Sequence, residues 1–541
     1  MIGRVATARA QPPLCVHQIH PNIAEVRGSS LAEFVVLMFP ICLPPPLVRI
    51  CCSCGNSWPN AVTAECTNRP PRKTVRLRQL TENYPKMQSL WVYILVFISG
   101  FLECHCNNAT NTSEVRLLLV SFDGFRADYL EQYDFPNLQK MIADGVHVKH
   151  VTNVFVTKTF PNHYSIVTGR YAESHGIVAN TMYDAATKKT FSTFADKDQF
   201  WWNEATPIWI TNQQQGHKSG GVMWPGTDVR IQNHTSSYFL KYDRDVAFNQ
   251  RADHIIEWFS NLTESINFGA LYWEEPDATG HRYGPESHEM KNMLKEVDNH
   301  IGYLIDKLQK AGLWNTINVI ITSDHGMAQC SKTKVIKLDN CIGRGNYTEV
   351  TSSPVTAILP HKNVTYVYEL LSNCDSHMKV YLKEDIPERF HYKHNERIQP
   401  ILLVADEGWT IVQNGSIPQM GDHGYDNTLP SMHPLLVAHG PAFRKAYKTN
   451  TINSIDIYPL MCHILGLKEE SNNGTFRNVR CLLVNEHCVS LPDVVGIVIG
   501  SLMVLVTLSC LIILMKKRVS PQHAFARLQL QDDDDDDPLL E

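Results

Sequence analysis

The stretch RLLLVSFDG, residues 116–124, is a short run of apolar residues that ends in an Asp-Gly pair. Such a run is typical of a strand that is buried on both faces of a parallel sheet and ends in a polar turn. Similar runs follow at Val151–Val156, Asn267–Trp273, Asn318–Thr322 and Leu435–Ala438. Before the run at 318–322, Met290–Leu313 carries apolar residues at helical spacing. The alternation predicts an α/β fold with a mostly parallel central sheet flanked by helices.

Composition narrows the class of protein. The chain has 541 residues, of which 43% are hydrophobic and 19% charged, and this excludes a disordered, collagen-like or coiled-coil protein. Residues 1–86 carry a net charge of +6, whereas the remaining residues carry −12, so the overall charge is −6. No basic face is left to attract nucleic acid, and we expect no nucleic-acid partner.

Two apolar stretches predict the membrane topology. Residues 494–515 are mostly apolar and include no charged residue, and Lys516, Lys517 and Arg518 follow them. This is the pattern of a membrane span with a cytoplasmic basic flank. The shorter stretch Leu90–Leu102 is typical of a signal peptide. We therefore expect an upstream extension absent from the mature protein (1–86), a signal peptide (87–106), an outer domain (107–490), a transmembrane helix (494–515) and a cytoplasmic acidic tail (516–541). These segments predict a single-pass type I protein of the plasma membrane.

Further motifs agree with that topology. Glycosylation sequons lie between the signal peptide and the span, at Asn108, Asn111, Asn233, Asn261, Asn346, Asn363, Asn414 and Asn473. Short separations favour the disulfides Cys341–Cys374 and Cys481–Cys488. In the tail, Asp535, Leu539 and Leu540 fit an acidic dileucine motif for an endocytic adaptor, although a solvated acidic tail explains the same residues.

The stretch 226–262, rich in aromatic and polar residues, is expected to be an insertion over one edge of the sheet.

Residues with metal-ligand chemistry mostly follow the predicted strands. Each alone has an ordinary structural explanation, such as a turn residue, a helix cap or a surface pair. Because ligands bind beyond the carboxyl ends of strands in open α/β sheets, their conjunction there predicts one site. The candidates are Asp123, Thr159, Asp277, His281, Asp324, His325 and one of two histidines, His423 or His433. This mixture of nitrogen and oxygen donors suits two Zn²⁺ ions acting on a phosphoryl group.

Several of these residues lie in recognisable motifs: DGFR at 123–126, TKTFPNH at 157–163, HGIVAN at 175–180, WPG at 224–226, EPDATGH at 275–281, SDHGM at 323–327 and GDHGYDN at 421–427. Together they resemble the ectonucleotide pyrophosphatase/phosphodiesterases of the alkaline-phosphatase superfamily, over residues 115–490. The resemblance implies an alkaline-phosphatase-like core. The domain organisation, with a C-terminal anchor and without somatomedin-like and nuclease-like domains, resembles that of the shorter members of that family.

The resemblance also implies roles for individual residues. One zinc would be held by Asp277, His281 and His423, which leaves His433 as a structural residue, and the other by Asp123, Thr159, Asp324 and His325. Thr159 would be the nucleophile that forms a nucleotidyl-threonine intermediate. Asn180, with the Thr159 backbone N–H, would hold a phosphate oxygen. The base would stack between Phe160 and Tyr242, with Tyr272 near the same pocket.

The implied substrates are dinucleoside polyphosphates such as diadenosine triphosphate, split to AMP and ADP, so that the ADP would feed purinergic signalling, including on platelets. Two alternatives stay open. A choline-type phospholipid phosphodiesterase could use the same two zinc ions, since an aromatic pair can also hold a cation. A non-catalytic adhesion or receptor ectodomain could keep the fold without the chemistry, although the intact ligand set argues against it.

Overall fold

The structure is a computed structural model. It describes residues 114–415, 419–486, 488 and 491–519. The predicted extension 1–86, the signal peptide 87–106, the sequons at Asn108 and Asn111, and the tail residues Asp535, Leu539 and Leu540 lie outside these residues.

Short strands alternate with helices along most of the described chain. The strands are β1 (Arg116–Phe122), β2 (Gly145–Thr152), β3 (Thr181–Asp184), β4 (Lys189–Ser192), β5 (Ser219–Val222), β6 (Tyr238–Leu240), β7 (Phe268–Trp273), β8 (Ile317–Thr322), β9 (Ala328–Gln329), β10 (Val335–Lys337), β11 (Tyr347–Glu349), β12 (Val355–Pro360), β13 (Met378–Leu382), β14 (Ile401–Ala405), β15 (Thr410–Val412), β16 (Gly421–Asp422), β17 (Leu436–His439) and β18 (Tyr447–Asn453). The α-helices are Tyr129–Gln132, Pro136–Ala143, Thr159–Thr168, Ala172–His175, Ile208–Gln214, Phe248–Ser260, Asp277–Tyr283, His288–Lys310, Leu338–Ile342, Val364–Ser372, Ile457–Leu465, Phe476–Val479 and Leu491–Val519.

The central sheet has eight strands in the order β18-β2-β17-β8-β1-β7-β5-β6. All neighbours run parallel except β17, which is antiparallel to both β2 and β8. β1 lies inside the sheet, and Leu117–Val120 have no exposed surface, as the continuous apolar run predicts. The long helix His288–Lys310 buries one apolar stripe that includes Leu294, Val297 and Ile301. The predicted mostly parallel sheet flanked by helices is confirmed.

The predicted bounds of one strand and the predicted place of one stretch are wrong. The run 151–156 is not one strand, because β2 begins at Gly145 and ends at Thr152. Beyond it, the Asn162 side chain accepts the Val154 N–H at 2.9 Å and donates to the Val156 carbonyl at 3.0 Å, so this backbone is bonded to a helix rather than to a neighbouring strand. The stretch 226–262 does not lie over the sheet edge. It forms that edge, because β6 pairs with β5, and it adds the helix Phe248–Ser260.

A second, smaller sheet was not predicted. It is fully antiparallel, in the order β11-β12-β14-β13, and has its own apolar cluster that includes Ile358, Val367 and Leu403. The disulfide Cys341–Cys374 joins the helix Leu338–Ile342 to the residues just after the helix Val364–Ser372, and Cys481–Cys488 closes a turn before the C-terminal helix, so both predicted pairs are confirmed. Among the described residues, one helix, Val494–Lys516, is long and apolar enough to cross a membrane.

Candidate metal centre and active site

The predicted ligands meet at the carboxyl edge of the central sheet. The ligands come from several different connections of the chain. They meet because parallel strands bring their carboxyl ends to the same edge of the sheet. They follow β1, β2, β7 and β8, and the last follows β16, which pairs with β9 beyond the sheet. We call this set the metal cluster: Asp123, Thr159, Asp277, His281, Asp324, His325 and His423.

One half of the metal cluster gathers around the His325 ring. Its Nε2 atom lies 3.0 Å from Asp324 Oδ2, 3.4 Å from Asp123 Oδ1 and 3.3 Å from the Thr159 hydroxyl. Thr159 is the first residue of its helix, and its backbone N–H has no acceptor among the described residues, whereas the Phe160 N–H donates to the Asn180 side chain and the Asn162 N–H to the Lys158 carbonyl. A hydroxyl, two carboxylates and an imidazole thus converge.

The other half gathers around Asp277. Its two oxygens each lie 3.4 Å from a histidine Nε2 atom, one of His281 and one of His423, and those two nitrogens are 3.1 Å apart. The two halves are in contact, because the rings of His325 and His423 stack with their centroids 3.5 Å apart. The arrangement therefore provides two adjacent ligand groups.

Each of the three histidines is oriented by its other ring nitrogen. The Nδ1 atoms of His281, His325 and His423 lie 2.8–2.9 Å from the backbone carbonyls of Gly421, Gly326 and Thr157 respectively. A carbonyl can only accept, so we infer that each Nδ1 carries the proton and donates. The three Nε2 atoms are left as acceptors that face the cluster, which is the tautomer needed by a metal ligand.

The electrostatics of the cluster fit bound cations. Asp123 Oδ1, Asp277 Oδ1 and Asp324 Oδ2 are buried and have no hydrogen-bond donor in the described residues. Burial, followed by the charges of Asp324 and Asp277, raises the pKa of Asp123 well above its ordinary value. Burial would also raise the pKa of Asp324, but when the rings of His325 and His163 are protonated their charges hold that pKa well below its ordinary value. Unpaired buried carboxylate oxygens are unfavourable unless a cation compensates them, so the residues present fit a divalent metal.

Burial also favours a ligand role for His423. Burial, followed by the charges of His325 and Lys158, lowers the pKa of the His423 ring well below its ordinary value. A neutral ring is the form that binds a metal. His433 lies elsewhere: its ring stacks on His150 at 4.6 Å, and its Nε2 is 3.1 Å from the Asn427 carbonyl. The structure thus brings His423 into the cluster and leaves His433 outside it.

Two polar residues beside the metal cluster were not predicted. His163 lies one helical turn after Thr159, with Nδ1 2.9 Å from the Thr159 carbonyl and 3.3 Å from Asp324 Oδ2. Candidate ligand atoms of Asp422, His281 and His423 lie within 4.8 Å of one another, so the three could hold one metal ion. The Asp422 Oδ1 atom is 3.1 Å from Lys158 Nζ. The i, i+4 spacing of His163 from Thr159, and the position of Asp422 directly before His423, are signals that could have identified both.

The predicted substrate residues surround Thr159. The Asn180 side-chain oxygen accepts the Phe160 N–H at 2.9 Å, which fixes the amide beside Thr159. The Tyr272 hydroxyl donates to Asp123 Oδ2 at 2.6 Å, so this residue contacts the metal cluster itself. Phe160 is 2% exposed, and Tyr242 is half-buried. Both contact Phe194, which was not predicted.

Comparison with known proteins identifies the family. Residues 117–426 match the family "Type I phosphodiesterase / nucleotide pyrophosphatase". The bis(5'-adenosyl)-triphosphatase ENPP4 of Homo sapiens is 60% identical over 449 residues, which are 83% of this chain and 99% of that protein. The Xenopus laevis protein of the same name is 59% identical over 450 residues, again 83% of this chain and 99% of that protein.

Solved structures agree. Human ectonucleotide pyrophosphatase/phosphodiesterase 5 superposes with a TM-score of 0.67 at 52% identity, and covers 69% of this chain and 100% of that structure. An inactive variant of the murine protein in complex with AMP has the same TM-score and identity, and covers 68% of this chain and 100% of that structure. The expected alkaline-phosphatase-like core is confirmed. The chain belongs to the ectonucleotide pyrophosphatase/phosphodiesterase family and is a hydrolase.

Proposed function

We propose that the protein is a cell-surface, zinc-dependent nucleotide pyrophosphatase/phosphodiesterase that hydrolyses dinucleoside polyphosphates such as diadenosine triphosphate to AMP and ADP. The observation that carries the proposal is the Thr159 hydroxyl, 3.3 Å from His325 Nε2 in a cluster with unpaired buried carboxylate oxygens. The relatives at 58–60% identity are named bis(5'-adenosyl)-triphosphatases, which supports this substrate class.

Two zinc ions would be held by the two halves of the metal cluster. Asp277, His281 and His423 would hold one; Asp123, Thr159, Asp324 and His325 would hold the other. When bound, the ions supply Lewis-acid stabilisation of the phosphoryl oxygens and lower the pKa of the nucleophilic hydroxyl.

The residues of the chain then perform two displacements. In the first, Thr159 Oγ1 bonds to the adenylyl phosphorus as the bond to ADP breaks, and the hydroxyl proton is released. Asn180 is oriented by the Phe160 N–H so that its amide NH₂ can donate to a phosphate oxygen, together with the Thr159 backbone N–H. In the second, water attacks the nucleotidyl-threonine, the bond to Oγ1 breaks, and AMP leaves with the hydroxyl restored.

The proposed location follows from the remaining features. The helix Val494–Lys516 would anchor the chain with its basic flank in the cytoplasm. Two disulfides in the domain before the helix favour an oxidising compartment, and the sequons on the same side fit an extracellular glycoprotein. ADP released at the cell surface would then be available to purinergic receptors, including those of platelets.

The test uses the full-length chain with zinc, incubated with diadenosine triphosphate and, separately, with a choline phosphodiester. We expect AMP plus ADP in a reaction that a chelator abolishes. Thr159→Ala should lower the rate at least about 10³-fold, because the nucleophile is lost, whereas Thr159→Ser keeps a hydroxyl and should retain part of the activity. Cleavage of the choline ester alone would move the protein to the lipid branch. No turnover of either substrate despite bound zinc would contradict the enzyme proposal and favour a binding ectodomain.

A further inference from the structure

Phe194 occupies the position at which a base would stack. It lies on the short 3₁₀ turn Thr193–Ala195, and its ring is parallel to that of Tyr242, with a centroid distance of 3.9 Å and an interplanar angle of 6°. It also contacts Phe160 at 4.9 Å and Tyr272 at 5.7 Å. We call these four residues the aromatic slot. A nucleobase on this face of Tyr242 would need the place that the Phe194 ring holds.

Phe160, the most buried residue of the slot, has packing partners other than Phe194. Phe160 is 2% exposed and also packs against Phe191 at 5.7 Å and Trp202 at 6.2 Å. Phe191 is fully buried, whereas Phe194 is only half-buried. A half-buried aromatic side chain can leave its position with less disturbance of the core than a fully buried one such as Phe191.

The backbone around Phe194 also links it to the phosphate site. The hairpin β3–β4 starts directly after Asn180 and ends directly before Thr193, and the Thr193 N–H donates to the Asn180 carbonyl at 3.4 Å. Thr193 has φ +38°, in the left-handed region that β-branched residues rarely adopt. The turn that carries Phe194 is therefore held in an uncommon conformation next to a residue proposed to contact the phosphate.

We propose that Phe194 is an internal competitor of the nucleobase: its ring stacks on Tyr242 in the free protein and is displaced when a nucleotide binds. This inference rests on the proposed function. Because only the fraction of protein with a displaced ring accepts the base, the apparent affinity for the base falls in proportion to that fraction. The same competition helps to expel AMP after the second displacement, so Phe194 limits product inhibition.

The test is calorimetric binding of AMP and of ribose 5-phosphate, which lacks the base, to the zinc-loaded full-length chain. Phe194→Ala should bind AMP about two- to ten-fold more tightly, the factor that corresponds to one lost aromatic pair, and leave ribose 5-phosphate unchanged. Phe194→Leu keeps apolar volume without a flat ring and should shift AMP affinity in the same direction by less. The matched control is Phe200→Ala. Phe200 is a half-buried phenylalanine of the next turn, and its ring packs on Trp201 rather than on Tyr242.

Three outcomes would overturn the inference. Weaker AMP binding by Phe194→Ala would make the ring a wall of the pocket rather than a competitor. Equal changes for AMP and ribose 5-phosphate, or the same change in Phe200→Ala, would indicate a general effect on the loop. If the unmodified protein binds neither ligand, the proposed function fails, and the competitor role fails with it. If the unmodified protein binds AMP but the variants behave as above, only the competitor role fails.

Discussion

The metal cluster and the aromatic slot adjoin each other but are built differently. The cluster residues follow four strands of the central sheet and the short strand β16, and most are buried; the three histidine rings are each fixed by a backbone carbonyl. In the slot, Phe194 and Tyr242 lie on connections outside the strands and are half-buried. The carboxyl edge of the sheet therefore carries the groups proposed to do the chemistry, while two of the four groups proposed to recognise the substrate lie on loops.

Tyr272 belongs to both regions. It lies on β7, its ring contacts Phe194 in the slot, and its hydroxyl donates to Asp123 Oδ2 in the cluster. It is a direct contact between the two regions, beside the chain link from Thr159 to Phe160.

The largest effect is expected from Tyr272→Phe, which removes that hydrogen bond and keeps the ring. Hydrogen bonds to metal ligands orient them, and their loss lowers metal affinity by about 10–100-fold. Competition with a chelator for zinc would measure the change. Tyr242→Phe removes a hydroxyl from the slot rather than from the cluster, and should leave zinc affinity unchanged. An equal loss in both variants would mean that the two regions are not distinct.

A smaller effect is expected from Tyr242→Leu, which removes a stacking partner of the base. Loss of one stacking contact at a half-exposed site corresponds to about 1 kcal/mol, or a roughly five-fold increase in KM for diadenosine triphosphate, with kcat unchanged. Tyr238→Leu is the matched control, because this half-buried tyrosine on β6 stacks on Trp258. A fall in kcat instead would show that the slot also positions the reacting phosphate.

The smallest effect is expected outside both regions, at Glu349 in the second sheet. Burial, and then the charge of Asp339, raises the pKa of Glu349 to about 7. Since the folded state holds the proton more tightly, this contribution to stability is present below the ordinary carboxyl pKa and is lost as the pH rises through 7.

Glu349→Gln should therefore raise the melting temperature at pH 8 on the order of 1–2 °C and leave it unchanged at pH 4.5. Thermal unfolding at the two pH values checks this. Hydrolysis rates should be the same in both proteins, and a changed rate would connect the second sheet to the active site.

The sequence predicts the cluster better than the slot for a physical reason. Asp123 and Asp324 follow strands that are mostly apolar and almost entirely buried, so each position could be read from a local pattern, and the rule for parallel sheets predicts that the two meet. Phe194 is one phenylalanine in a turn, and no periodicity marks it. Its contact with Tyr242 depends on two loops that meet only in the folded protein.

The second sheet was missed for a related reason. Its strands β11 and β13 are short and partly exposed, with charged residues such as Glu349 and Lys379, so they lack the continuous apolar run that marks β1. The end of β2 was misplaced because the bonds from Asn162 to Val154 and Val156 come from the next helix. Side-chain bonds of this kind leave no pattern in the strand itself.

The single antiparallel strand of the central sheet, β17, has a consequence for the order in which the protein is made. It lies between β2 and β8, yet it comes from residues 436–439, long after both neighbours. Until the ribosome has delivered that segment, β2 and β8 lack the partner that separates them, and each can present an open edge to other chains. His423 arrives only shortly before it. The growing chain thus acquires its last predicted metal ligand and joins β2 to the rest of its sheet only late in synthesis.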